Sequence, residues 1–332
     1  MRVAASPYEL RAKSPLGTSA TSTRRGALLR FEFEELGAGY ADCHPWPELG
    51  DAPLAEQLAT LARGGFTRLS ERSYAQARAD AQARALGRSA FDDVDAAAGI
   101  RSHVLAGNAL DVGAVDLDRC RAAGFALVKI KAGRSVESEA ARLRELARAA
   151  AERGMKLRVD FNGSPAPDDA IRLLDAMSVA PRGIDFIEDP TPFDQSVWTH
   201  LKARFPFRFA LDLAAARPTG LIGDCVDVLV LKPATQDATA IVHSANRPGL
   251  DFVITSYLDH PLGSTGAAWH AFRVEQLSGD RLEACGLMTH MNYEPTPFSR
   301  ACRSKGDRWL PPEGTGFGFD DQLRACTWSE LS

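Results

Sequence analysis

Five short apolar runs in the middle of the chain break at the same place. VKIK (128–131), RVDFN (158–162), FIEDP (186–190), FALD (209–212) and VLVLK (228–232) each carry β-branched or aromatic residues into a charged one: Lys131, Asp160, Glu188, Asp212 and Lys232. The charged positions follow one another at offsets of 29, 28, 24 and 20 residues, room enough for a crossover helix between successive parallel strands. The segment at 135–154, SVESEAARLRELARAAAERG, is such a helix, with Ser135 and Glu137 at its start and Gly154 at its stop. Further runs at 102–105, 252–256 and 284–289 bring the strands near 126–131, 156–161, 184–188, 208–212 and 228–232 to eight. Eight strands with helical crossovers predict an α/β fold, a closed (β/α) barrel of the TIM type over residues 98–290.

The chain before the barrel reads differently. A strand at 28–33, a Gly/Pro-rich loop at 37–51 and helices at 54–62 and 74–86 predict an α+β capping domain over residues 1–97. The Pro/Gly-rich tail, 291–332, is expected to return to it. A length of 332 residues suits one barrel plus a smaller domain. A formal charge of -4 offers no general attraction to polyanions, so nucleic acid is not an expected partner. No run approaches the ~18 apolar residues a membrane helix needs, and the first residues lack an apolar signal-peptide core. Six cysteines are scattered without metal-site or disulfide-framework pairing. The expectation is a soluble, cytoplasmic protein that binds a small molecule and no membrane.

Charged strand ends in a barrel converge on its mouth, where barrel active sites lie. Three carboxylates brought together there, Asp160, Glu188 and Asp212, repel one another unless a cation or protons intervene. A hard divalent cation that prefers oxygen ligands resolves that repulsion. Any one of these acids alone would serve equally well as a helix cap; three on consecutive strands, flanked by lysines, read as a site. Strand alternation puts Lys129 and Lys131 on one face, and Arg158, Asp160 and Asn162 on one face. Two ammonium groups on one face should lower a lysine pKa toward the range of a general base. Lys232 approaches from the other side of the mouth. Arg158 is expected to neutralise Asp160 or meet substrate, and Arg24 or Arg25 to reach over the site toward a substrate carboxylate.

In their order and spacing, VKIK, D-x-N at 160–162, IEDP at 187–190, ALD at 210–212 and LKPA at 231–234 resemble the enolase superfamily, specifically its muconate-lactonizing-enzyme subgroup. GYADCHPWPELGD, ITSYLDHPLG, ACGLMTH and EPTPFS resemble the o-succinylbenzoate synthase branch of that subgroup. The resemblance implies Mg²⁺, with Mn²⁺ as an alternative, held by Asp160, Glu188 and Asp212. It makes Lys131 the base that removes the proton α to a carboxylate, Lys129 its support, and Lys232 the holder of developing negative charge. Ser256 and the backbone at Gly286 would hold a succinyl carboxylate. The implied reaction dehydrates 2-succinyl-6-hydroxy-2,4-cyclohexadiene-1-carboxylate, in menaquinone biosynthesis, to o-succinylbenzoate through a metal-stabilised enediolate. Two departures stand out: ALDLAAA lacks the Glu-Ser that often follows this Asp, and IEDP replaces the frequent Ile-Glu-Glu-Pro. Asp189 is then either a substitute for Asp212 or its orienting partner.

Other readings of the same residues are racemisation of N-acylamino acids or epimerisation of dipeptides by Lys131 and Lys232 from opposite faces, a Schiff-base aldolase, and a barrel retained as a scaffold. His44, in its HPWP turn, reads as structural. GTGFGFD (314–320) has no strand and helix around it and reads as a turn rather than a phosphate loop. Oligomeric state is not encoded in any of these features.

Overall fold

The computed structural model describes residues 2–14, 22–212, 222–245 and 247–332. The amino-terminal region supplies three antiparallel strands, β1 (Arg2–Arg11), β2 (Thr23–Phe33) and β3 (Gly37–Cys43), followed by helices α1 (Leu54–Ala62) and α2 (Arg68–Ala85). The stretch expected as a loop is thus partly strand: GAGYADC pairs with β2 from Gly37 to Cys43. Its glycine explains why: a Cβ at Gly39 would lie 2.0 Å from the Ala77 carbonyl oxygen, so only glycine lets α2 lie this close on the sheet. Thr67 caps α2 by accepting from the Ser70 amide.

Barrel elements follow in order: β4 (Ile100–Arg101), β5 (Val104–Asn108), α3 (Ala114–Ala122), β6 (Leu127–Lys131), α4 (Val136–Glu152), β7 (Lys156–Asp160) and α5 (Pro167–Met177). Then come β8 (Ile184–Glu188), α6 (Gln195–Arg204), β9 (Phe209–Asp212), β10 (Val228–Leu231), α7 (Ala238–Ser244), β11 (Asp251–Ile254) and α8 (Pro261–Ser278). The tail adds α9 (Pro297–Ala301), β12 (Arg303–Lys305), β13 (Arg308–Leu310), α10 (Asp320–Arg324) and β14 (Ser329–Glu330). Seven strands form one parallel sheet in sequence order from β5 to β11. The eighth member, expected at 284–289, is a string of single parallel bridges: Leu282 to Phe252, Cys285 to Ser102 and Gly286 to Thr255. Hydrogen bonds on both sides still close the barrel, from Gly286 N–H to Ile254 O (2.8 Å) and from His103 N–H to Cys285 O (2.8 Å).

The tail divides between two tasks. β14 joins the cap sheet beside β1, whereas the hairpin of β12 and β13 pairs with β4 at the foot of the barrel. The glycine-rich segment 314–320 is a turn that clasps α2. Phe317 N–H donates to Asp80 (2.6 Å), and Arg84 bridges Asp80 and Asp320 at 2.6 Å each. Cap and barrel are stitched by Asp42, which accepts from the Tyr8 hydroxyl at 2.6 Å and from the His260 amide at 3.0 Å. His44 belongs to this joint, 2.9 Å from the Tyr8 oxygen, and does not face the barrel mouth.

Strand alternation organises the interior. Val128, Ile130, Val159, Ile187, Leu229, Leu231, Phe252 and Ile254 face the helices and belong to the main core. The intervening residues point into the barrel, where Phe186, Ala210, Val228, Val230 and Val253 form a separate apolar plug. The same inward face carries Lys129 beside Arg158, then Lys131 beside Asp160 and Asp160 beside Glu188, paired in register across β6, β7 and β8. Charge therefore sits above a packed floor.

Burial also sets a titration behaviour that can be checked. His270 of α8 is buried, with Nδ1 3.2 Å from the Thr239 hydroxyl. Burial, helped by nearby Arg72, pushes its pKa from 6.5 down to about 3. Between those values the unfolded chain binds a proton that the folded chain refuses. The stability His270 contributes is therefore present above pH 6.5 and is lost as pH falls toward 3. Urea titrations of wild type and His270→Gln should show the difference shifting against the wild type on acidification, by at most roughly tenfold in the folding constant per pH unit. A difference independent of pH would show that the imidazole titrates normally in the fold.

Candidate active site at the barrel mouth

A cavity of about 730 Å³ opens between the cap and the carboxyl ends of the barrel strands. Counting barrel strands from β5, the acids lie at the ends of the third, fourth and fifth (β7, β8, β9), and the lysines on the second and just past the sixth (β6, β10). Lysines thus face each other across an eight-membered ring. Ser256, Gly286 and His103, on the seventh, eighth and first members, form the wall opposite the acids.

Each charged group has a partner. Lys129 Nζ lies 2.9 Å from Asp160 and 2.7 Å from Glu188. Lys131 Nζ donates to Asp160 at 3.2 Å and to the Asn162 side-chain oxygen at 3.1 Å. Lys232 pairs with Asp212 and stands 5.9 Å above the Tyr257 ring. Two residues just past strand ends adopt left-handed backbone, Asn162 (φ 50°) and Asp189 (φ 45°), a conformation that Asn and Asp tolerate better than most. The bend lets Asn162 turn back onto Lys131. It lets the Asp189 carboxylate accept from the Asp212 amide at 3.1 Å. Asp189 thus orients the β9 end, as a supporting partner would.

Burial and mutual charge shift these groups apart. Burial alone would raise Asp160, but Lys129 and Lys131 outweigh it and hold its carboxyl well below the usual range. Glu188 is pushed up to about 6 by burial and by the charge of Asp160, against the pull of Lys129. Asp189 is raised strongly by burial and by Asp212 and Glu188. For Lys129, burial acts downward but Asp160 and Glu188 more than reverse it, leaving the ammonium held above the ordinary lysine value. The expectation that the K-x-K pair lowers a lysine pKa is therefore corrected for Lys129: two carboxylates within 3 Å dominate the more distant ammonium.

Three further expectations change. Arg158 shares the inward face of β7 with Asp160 but lies one layer deeper, 1% exposed, and does not line the cavity. Its guanidinium binds Asp185 (2.8 Å), Glu283 (3.1 Å), the Ala284 carbonyl and His103 Nδ1 (3.0 Å), so it meets neither substrate nor Asp160. Arg25 points away and pairs with Glu9 on the surface, because neighbours on a strand face opposite sides. Arg24 faces the cavity instead, 3.8 Å over the Trp46 ring and 2.8 Å from Glu48, with Nε and Nη2 buried and unpartnered among the described residues. The backbone of Gly286 cannot hold a carboxylate: its N–H donates to Ile254 O (2.8 Å) and its carbonyl accepts from Ser256 N–H (3.0 Å). Ser256 does line the cavity, its hydroxyl 2.6 Å from that of Thr289. His103, Trp46 and Tyr257 also line it and were not singled out from the sequence. A histidine inside the run 102–105, expected as the first barrel strand, was the available signal for His103. The residues that follow Asp212, 213–221, lie outside the described residues, so the ALDLAAA departure has no structural account.

As a place for a divalent cation, the donor set is chemically suitable: Asp160, Glu188 and Asp212 offer only hard oxygens from adjacent strands. Among the described residues no three Asp, Glu, His or Cys side chains stand close enough together to hold an ion as they are. Lys129 bridges Asp160 and Glu188, and Lys232 pairs with Asp212.

Comparison with known proteins agrees with this geometry. Residues 3–83 match the family described as O-succinylbenzoate synthase, N-terminal domain, and residues 114–221 match Enolase C-terminal domain-like. An o-succinylbenzoate synthase of Bdellovibrio bacteriovorus is 35% identical over 336 aligned positions, covering all of this chain and 99% of the relative. Among solved structures, a dipeptide epimerase from Cytophaga hutchinsonii, in complex with Mg and the dipeptide D-Ala-L-Val, superposes with a TM-score of 0.78 at 18% identity, over 100% of this chain and 99% of that one. An enolase-superfamily member from Roseovarius nubinhibens, complexed with magnesium, gives 0.78 at 18% identity, over 100% and 98%. Those two likenesses speak for the barrel and cap; the full-length relative speaks for the branch. The chain is an enzyme that belongs to the o-succinylbenzoate synthase family of the enolase superfamily.

Proposed function

We propose that the chain is an o-succinylbenzoate synthase, which removes water from 2-succinyl-6-hydroxy-2,4-cyclohexadiene-1-carboxylate. The observation that carries the reading is the position of Lys131, backed by Asp160 and Asn162, between an acid-lined wall on one side and an Arg24- and Ser256-lined wall on the other. A substrate with two carboxylates, one on the ring and one on the succinyl arm, matches a cavity with two places for negative charge. Mg²⁺ held by Asp160, Glu188 and Asp212 would supply the positive charge that favours ionisation next to the ring carboxylate; Mn²⁺ has the same hard-oxygen preference.

The protein's own groups then divide the work. Lys131 Nζ accepts the α proton as the C–H bond breaks, with Asp160 and Asn162 fixing where the nitrogen stands. Lys232, held by Asp212 on the opposite side, places a second cation beside the charge that develops. The departing hydroxyl takes a proton from Lys131 and leaves as water, so one lysine serves first as base and then as acid. Aromatisation drives the second step, and the barrier that matters is the first. Arg24 and the Ser256 hydroxyl are placed for the succinyl carboxylate.

Epimerisation of an N-acylamino acid or dipeptide is the second reading, favoured by lysines on both sides of the cavity. Purified protein with magnesium should dehydrate the cyclohexadiene substrate, lose that activity in EDTA and regain it on adding Mg²⁺. Deuterium incorporation into N-acylamino acids or dipeptides faster than dehydration would reverse the order of the two readings. Activity unaffected by EDTA would remove the metal from the account.

A further inference from the structure

The wall opposite the acids contains a group with no part in the chemistry above. His103 is 6% exposed, lines the cavity and receives Arg158 Nη1 at 3.0 Å on its Nδ1. A guanidinium has donors and no acceptor, so Nδ1 must be the accepting, unprotonated nitrogen. A neutral imidazole with its lone pair at Nδ1 carries its hydrogen on Nε2. Burial, together with the charges of Arg158 and Lys129, keeps the ring from taking a second proton. Arg158 cannot turn away, because Asp185, Glu283 and the Ala284 carbonyl fix the rest of its fork. The Nε2–H has no hydrogen-bond partner among the described residues, although the ring forms part of the cavity wall.

Gly286 explains why that hydrogen is reachable. Its backbone is fully used in closing the barrel, and a Cβ there would lie 2.9 Å from both His103 Nε2 and Thr255 Cγ2. What the glycine contributes is therefore a notch that leaves the imidazole edge uncovered, with the Ser256 and Thr289 hydroxyls beside it.

We propose that His103, locked by Arg158 as the neutral Nε2–H tautomer, donates a hydrogen bond to the terminal carboxylate of the substrate's succinyl arm in the notch at Gly286. Arg158 acts as a positioning residue: it selects the tautomer and places positive charge behind the ring without touching the ligand. The ligand half rests on the substrate reading above, whereas the tautomer lock does not.

The full-length protein labelled with ¹⁵N-histidine, with magnesium present, tests both halves by two-bond ¹H–¹⁵N correlation. The resonance that vanishes in His103→Gln should show a protonated Nε2 and an accepting Nδ1 at neutral pH. Its Nε2 signal should move on adding the product, o-succinylbenzoate, and stay in place on adding benzoate, which lacks the arm. In binding measurements His103→Leu should weaken o-succinylbenzoate about tenfold, the scale of one lost hydrogen bond to a charged group. His103→Gln, whose amide also donates, should recover most of it, and benzoate should bind all three proteins alike. An Nδ1-protonated or doubly protonated ring overturns the lock. Leucine and wild-type proteins that bind o-succinylbenzoate equally overturn the ligand role. Wild-type protein with the expected tautomer that binds no o-succinylbenzoate refutes the substrate reading and leaves the lock standing.

Discussion

Lys131→Ala folds normally and loses dehydration by a factor on the order of 10³, within the range for removal of a positioned general base. Lys131 sits on the rim of the barrel, with a side chain 16% exposed and, among the described residues, Asp160 and Asn162 as its polar partners, so its loss leaves no cavity in the core. Asp160 keeps its closer partner, Lys129, at 2.9 Å. The variant's thermal midpoint should therefore stay within a few degrees of wild type, roughly what a change of no more than 1 kcal/mol gives. Lys232→Ala should cost less in dehydration, because that residue stabilises charge without taking the proton. In the epimerisation reading the two lysines act as equals, and the two variants would lose activity equally. The comparison of single-turnover rates decides between them. A Lys131→Ala enzyme retaining a tenth or more of the wild-type rate would place the base elsewhere.

The largest effect on stability is expected one layer below, at Arg158. Replacing it with methionine fills much of the same volume but strands a charge: Asp185 loses its 2.8 Å partner, with only Lys156 left at 3.8 Å as an ion-pair partner among the described residues. Glu283 is protected by Arg208 at 2.6 Å. Breaking a buried pair by removing one partner costs about 3–5 kcal/mol, and the surviving Arg208 contact places Arg158→Met toward the lower end. Urea denaturation reads this as a lower midpoint at unchanged slope. Adding Asp185→Asn should return part of the loss, because the stranded group is then neutral. A single variant as stable as wild type would mean that the buried cluster is an isolated convenience rather than the floor of the site.

Arg158 also shows where reading the chain reaches its limit. Alternation places it on the same face as Asp160, and that is correct, but a face has depth. Two residues along a strand separate a group at the mouth from one at the floor, and only the neighbouring strands' register reveals which is which. The order of the charged strand ends was legible for the opposite reason: five runs broken at their carboxyl ends constrain one another. Arg24 and Arg25 illustrate a second limit. Period two says that they face opposite ways without saying which side the barrel is on. The glycines mislead in a third manner, since a glycine can offer its backbone or its emptiness. At Gly286 the amide is consumed by the barrel, and at Gly39 the missing side chain admits a helix; neither follows from local sequence. The β3 strand was hidden by the same glycines, which read as loop until a paired neighbour supplies their hydrogen bonds.

What the cavity holds at its two walls gives the account its sharpest exposure. Purified enzyme, given magnesium and 2-succinyl-6-hydroxy-2,4-cyclohexadiene-1-carboxylate, is predicted to yield o-succinylbenzoate and water, with the rate abolished by EDTA and cut about a thousandfold by Lys131→Ala. Failure to form o-succinylbenzoate under those conditions, with or without the metal, would contradict it.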